Sequence, residues 1–228
     1  GNTIIGTGLK DLIPLSLFEL VIRTYLRAIK LAIVRNKEEA FEAAKEAESI
    51  LNSMLNCSSN HILDNELDND TQYLIRLMVN EIMTCYAQCD HEPKALKRVE
   101  SLFYALQNSH DGRGDNLFQL TGGKGPNEMS YNAYLTVLSR IHSIDAGEKA
   151  WDLIKFMEME ASSSSKICPN IAHYSCAIKA LANIPKQSRH NRSKKGKIKD
   201  EFRSARMAND LLDHADENCT NSSNNEEN

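Results

Sequence analysis

The chain has 228 residues, 41% of them hydrophobic and 6% aromatic, with ten glycines and five prolines. There is enough apolar material for a sizeable core, and the few aromatic and turn residues argue for helices rather than an all-β fold. A net charge of −4 excludes a chain that holds nucleic acid by overall basicity.

The first helical pattern spans 12–34, where Leu17, Leu20, Val21, Thr24, Tyr25 and Ala28 recur at helical spacing. A second covers 37–56, and a polar insert rich in Asn and Asp follows at 57–70. The third, 71–90, carries Leu74, Leu77, Met78, Ile82, Cys85 and Cys89 on one face. The fourth, 93–108, opens on Pro93, whose missing N–H costs little in a first turn. After a Gly-containing insert at 109–126 come helices at 128–142 and 145–160. A Ser-rich insert at 161–169 leads to 171–183, a Lys/Arg-rich insert at 184–199 to 200–216. Residues 1–11 read as a flank and 217–228 as a disordered polar tail.

Helix, short turn, helix, long loop, four times over, describes stacked helical hairpins rather than a bundle with uniformly short loops. Four octets share one pattern: AESILNSM (47–54), VESLFYAL (99–106), AWDLIKFM (150–157) and ANDLLDHA (208–215). Each begins on a small or apolar residue and places apolar residues on one stripe, the expected packing face of the second helix of a pair. A second phrase also repeats: PNEMSYNAYL (126–135) and PNIAHYSCAI (169–178) start 43 residues apart. These features divide residues 12–216 into units of about 12–70, 71–127, 128–170 and 171–216.

Octets and phrases together resemble the pentatricopeptide repeat family. Its unit is a pair of antiparallel helices with Tyr-Asn early in the first, Ala-x-x-apolar-apolar-x-x-Met in the second, and a closing Pro-Asp or Pro-Asn. The unit 128–170 matches best, with Tyr131-Asn132, Ala150 to Met157, and Pro169-Asn170. The units here are longer than the family's, about 35 residues, and the extra length falls in turns and unit ends.

The resemblance implies an α-α superhelix that binds single-stranded RNA, one base per unit, together with other RNA-processing proteins. It implies action in RNA processing within a mitochondrion or plastid, no catalysis, no cofactor and no metal. Residue by residue, Asn80, Asn127, Asn132, Asn170 and Ser175 would read base edges. Leu77, Met129 and Ala172 would stack on bases. Two Asn/Asn pairs imply adjacent pyrimidines. For Asn132 the plainer alternative is a residue near a helix start that bonds local backbone.

The insert 186–199 holds seven Lys/Arg and no acid. Arg189, Arg192, Lys194, Lys195, Lys197 and Lys199 suit RNA phosphates; a solvated linker or a localisation-type run fits the same composition. The alternative function is a tetratricopeptide-like solenoid that binds protein partners, but Trp151 lies in a second helix and lacks that family's motif.

Other motifs carry less. TGGKGP (121–126) lacks the P-loop signature and reads as a flexible loop. Cys85 and Cys89, with His91 nearby, lack a second ligand pair and read as core thiols. Asp64, Asp68 and Asp70 lack the Gly and closing Glu of an EF-hand. The six cysteines contain no CxxC and read as mostly buried thiols in a reducing compartment; without a secretory signal, the sequons at Asn56, Asn218 and Asn221 read as accidents of Asn/Ser-rich loops. No apolar run approaches the roughly 20 residues needed to span a bilayer.

Overall fold

The computed structural model describes residues 20–21, 23–25, 27–28, 31, 37–62, 69–89, 93–107, 117–118, 121, 123–162, 167–183 and 203–216. Among them every regular element is a helix, as the all-α reading expects. We label these α1 (Lys37–Ile62), α2 (Asn69–Gln88), α3 (Pro93–Leu106), α4 (Glu128–Leu138), α5 (Ile144–Ser162), α6 (Ile171–Ala182) and α7 (203–216). Residues described between 20 and 31 are also helical, with the Thr24 hydroxyl donating to the Leu20 carbonyl at 2.7 Å. Two expectations shift. The insert expected at 57–70 begins as helix, because α1 continues to Ile62, and ends as helix, because α2 starts at Asn69. The glycine stretch is a formed turn. Gly123 and Gly125 both have φ of +65°, which glycine adopts without a Cβ penalty, and the Gly123 N–H donates to the Phe118 carbonyl at 3.0 Å.

The chain forms two compact units, residues 1–89 with 97–126, and residues 90–96 with 127–228. In the first, α1 packs on α2. The α1 stripe is Ala44, Ala47, Glu48 and Leu51, all buried at helical spacing. Its small residues let α2 approach, and α2 buries Ile75, Val79, Ile82, Met83 and Tyr86 in return. Glu48 is the anomaly, a carboxylate on an apolar stripe. Its Oε2 accepts from the Tyr86 hydroxyl at 2.7 Å and its Oε1 from the Arg98 guanidinium at 3.3 Å. Both oxygens are therefore satisfied, which burial requires. Burial, reinforced by the bond to Glu48 and that carboxylate's charge, holds the Tyr86 hydroxyl far above the usual phenol range. The Phe41 ring lies against Tyr86 at 5.5 Å between centroids.

In the second unit α4, α5 and α6 pack pairwise, each against the other two. Helix α6 therefore rests on both members of the preceding pair. It lies against α4 in parallel. At one end Asn170 and His173 bond Glu128; at the other, Asn183 Nδ2 donates to the Ser139 carbonyl at 2.7 Å and His142 Nδ1 lies 3.0 Å from the Asn183 carbonyl. Against α5 it is antiparallel, since Tyr174 meets Glu158 while Leu181 meets Gly147. A Cβ added at Gly147 would sit 3.3 Å from the Leu181 Cα and 3.1 Å from its Cδ2. At Gly147, flanked by buried Ala146 and followed by Ala150, the α5 and α6 backbones thus approach closely.

Helix α7 joins α5 through its ends. Arg203 bridges Glu148 at 3.0 Å, and His214 lies with Nε2 3.1 Å from Lys155 Nζ and Nδ1 3.5 Å from Glu158 Oε1. A Lys ammonium can only donate, so Nε2 accepts and the imidazole proton sits on Nδ1, facing the carboxylate. Lys155 Nζ also lies 5.0 Å from the Trp151 ring centroid. These contacts run in the same sense along both helices, so α5 and α7 are parallel.

The octet register holds in this packing. First and fifth octet residues are buried in three copies: Ala47 and Leu51, Val99 and Phe103, Ala150 and Ile154. The fourth copy is rotated. Leu211, its fourth residue, is buried, while Leu212 is 51% exposed. Core thiols are found at Cys85 and Cys89, as expected, but Cys168 is exposed and Cys176 only partly covered. Exposure of Cys168 follows from its place in the extended segment leading into α6.

Two substitutions check this packing. Tyr86→Phe removes the hydroxyl from a buried carboxylate and is expected to cost about 1.5–3 kcal/mol in urea unfolding. Gly147→Val, forced against the α6 backbone, is expected to cost roughly 1–3 kcal/mol; an unchanged denaturation midpoint would show that α5 and α6 are not in close contact there.

Candidate nucleic-acid interface

Helices α4 and α6 begin identically. Asn127 is the N-cap of α4 in extended conformation, and its side-chain oxygen accepts from the Ser130 N–H at 3.2 Å. The Ser130 hydroxyl returns the favour by accepting from the Asn127 N–H at 3.1 Å. Asn170 caps α6 in the same way. Its Oδ1 accepts from the His173 N–H at 3.1 Å, and its own N–H donates to His173 Nδ1 at 3.1 Å. Both are complete capping boxes, with Ser in one and His in the other as the returning residue. The reason for the repeated Pro-Asn is local: Pro favours an extended predecessor and Asn supplies the cap.

The two helices also bury equivalent faces. His173, Tyr174, Ala177, Ala180 and Leu181 of α6 are buried, and so is each residue 43 positions earlier, Ser130, Tyr131, Tyr134, Val137 and Leu138. What remains outside is equivalent too. Asn132 and Ser175 are exposed at the same helical position, with Met129 and Ala172 exposed one turn before. Residues three apart share a helix face, so each helix offers a flat apolar or small residue beside a polar one. Thr136 and Cys176 approach between the helices at 3.9 Å.

The placement of the candidate residues is uneven. Asn132 and Ser175 project into solvent, Met129 is 42% exposed, and Ala172 is exposed. The plainer role considered for Asn132, binding helix-start backbone, belongs to Asn127 and Asn170 instead. Both have their side-chain oxygen engaged in the cap, and Asn170 Nδ2 donates to Glu128. Leu77 is half-buried on α2. Asn80 departs from expectation: it is 1% exposed, so its amide is not offered to a ligand. Its carbonyl accepts from the Thr84 hydroxyl at 2.8 Å. Arg189, Arg192, Lys194, Lys195, Lys197 and Lys199 lie outside the described residues.

Two further residues at this edge carry no role in the sequence reading. Glu128, exposed at the start of α4, accepts from Asn170 Nδ2 at 2.6 Å through Oε1. His173 is buried, with Nδ1 accepting from the cap and Nε2 3.4 Å from the Glu128 carbonyl. Nδ1 must be unprotonated to accept, so the proton is on Nε2 and points at that carbonyl. For His173 the signal was present in its place as third residue of an Asn-initiated helix, the position a capping box uses; Glu128, the first residue of its helix, carried no such signal. Among the described residues no group of three or more His, Cys, Asp or Glu is placed to hold a metal ion, and no helix is long and apolar enough to cross a membrane.

Burial pushes the His173 pKa below its ordinary value, against smaller opposing contributions from the Glu128 carbonyl and charge. A base whose pKa is depressed on folding binds its proton more readily when unfolded. The stability it contributes is therefore full above the ordinary value of about 6.5 and lost as pH falls below it. Urea unfolding at neutral and mildly acidic pH should show this loss. His173→Gln keeps one acceptor and one donor but does not titrate, and is expected to flatten the profile; an equal acid loss in the variant would clear His173 of the effect.

No protein-family model, no curated protein and no solved structure matches this chain.

Proposed function

We propose that the chain binds single-stranded RNA through stacked pentatricopeptide-type helix pairs arranged as an α-solenoid, and that it acts in RNA processing in a mitochondrion or plastid. The reading assigns no catalytic step to this segment. The observation that carries it is the equivalence of α4 and α6. They are parallel, directly packed first helices that expose Asn132 and Ser175 at one shared position and Met129 and Ala172 one turn before.

The chemistry is that of base reading by helical repeats. A Met side chain offers a polarizable, adaptable surface to the face of a base. An amide or hydroxyl three residues on reaches its edge with donor and acceptor groups. The α5–α7 bridges support stacking of second helices on second helices, as a solenoid requires. Burial of Asn80 withdraws one reader, so the proposal rests on the units at 128–170 and 171–216. The Lys/Arg residues at 189–199 would supply phosphate contacts, which predicts binding that weakens as salt rises.

One observation favours the protein-binding alternative: Met129 and Ile171, 42% and 66% exposed, are apolar residues at the same edge. RNA selection separates the readings. Asn132→Ala is expected to relax base preference at a single nucleotide position, and Ser175→Ala at the neighbouring one, each with about 1–3 kcal/mol of lost discrimination. If the chain enriches no RNA, or if neither substitution changes what it enriches, the RNA reading fails.

A further inference from the structure

The amide of Asn170 is held at two points. Its Oδ1 accepts from the His173 N–H, and its Nδ2 donates to Glu128 Oε1, 42 residues earlier in the chain. An unrestrained Asn can turn either its donor or its acceptor toward a partner. Asn170 cannot, because a flip would set its nitrogen against the His173 N–H and its oxygen against a carboxylate. It presents its remaining Nδ2 proton only. Beside it stands the other oxygen of Glu128, on an exposed side chain; a carboxylate can only accept. The result is a fixed donor next to a fixed acceptor, built by residues from two different helices.

We infer that Glu128 is a specificity-determining residue, which with Asn170 selects uracil over cytosine at the nucleotide held by the unit 128–170. This rests on the RNA-binding reading above. Uracil carries a carbonyl next to an imino N–H. The carbonyl takes the Asn170 proton while the imino N–H donates to the free Glu128 oxygen. Cytosine held in the same orientation puts an amino group against the Asn170 donor and a ring lone pair against the carboxylate. Both contacts then oppose like with like. Asn170 supplies one point of discrimination, its fixed donor; the carboxylate supplies the second. Glu128 belongs to α4 and Asn170 to the cap of α6, so the pair exists only because those helices pack side by side.

The test is selection from a randomised single-stranded RNA pool with the full 228-residue chain, wild type against Glu128→Gln. Gln is nearly isosteric and can still accept from Asn170, so the clasp survives while the outer acceptor becomes a donor. At one nucleotide position the wild type is expected to enrich uracil over cytosine by roughly tenfold, and the variant to fall to about parity, with other positions unchanged. Asn132→Ala serves as the reference. If it alters base preference while Glu128→Gln leaves every uracil-to-cytosine ratio as in the wild type, the role of Glu128 is overturned and the RNA reading stands. If the wild type enriches no RNA, both are overturned.

Discussion

Helices of 11 and 12 residues, the lengths of α4 and α6, are marginal in water on their own. They persist here because each lays an apolar face against its neighbours and because both open with a closed capping box. Burial of a large side chain such as Tyr134 or Tyr174 contributes about 1.5–3 kcal/mol, and a good cap about 1 kcal/mol. Neither alone holds a short helix. Together they fix its start, its rotation and its distance from the next helix. Everything proposed about the outer face depends on that rotation.

The two compact units solve one recurring problem in similar ways. A second helix carries a carboxylate into the contact with the next first helix, and a Tyr hydroxyl from that helix meets it: Glu48 with Tyr86, Glu158 with Tyr174. Glu48 is the second residue of its octet, while Glu158 directly follows the last residue of its own. Tyr86 lies seven residues beyond the position that aligns with Tyr174. Seven residues back on one helix and seven forward on the other is the shift an antiparallel pair requires, and α5 and α6 are antiparallel. The two bonds are the same kind of contact, made two turns apart. Glu158 is also the node through which α6 and α7 are tied to α5, since Tyr174, Lys155 and His214 all converge on it.

At the α4–α6 edge, structural and functional demands fall on the same atoms. Asn127 and Asn170 cannot give their oxygens both to a helix end and to a ligand. For Asn170, hydrogen-bond capacity therefore narrows what it could read, from an amide with two faces to a donor with one. The same accounting removes Asn80, whose burial leaves no open edge. It also brings in Glu128, an unremarked charge in the sequence that acquires a partner only across the helix pair.

By itself the sequence determined most of the helical elements to within a few residues, the octet stripe, and the repeat of Pro-Asn ahead of two helices. These follow from spacing along one chain, because a helix turns by a constant angle and its first N–H groups need nearby acceptors. It also determined that positions 43 apart in α4 and α6 would be equivalent. Only the tertiary structure decided which polar residues are spent inside and which are left outside. Asn80 and Asn132 read alike in sequence, yet one is buried and the other exposed. The pairings of Glu48 with Tyr86 and of Glu128 with Asn170 span 38 and 42 residues. No local periodicity encodes them; they depend on how close and in which direction two helices pack, which the small residues Ala146, Gly147 and Ala150 settle for α5 and α6.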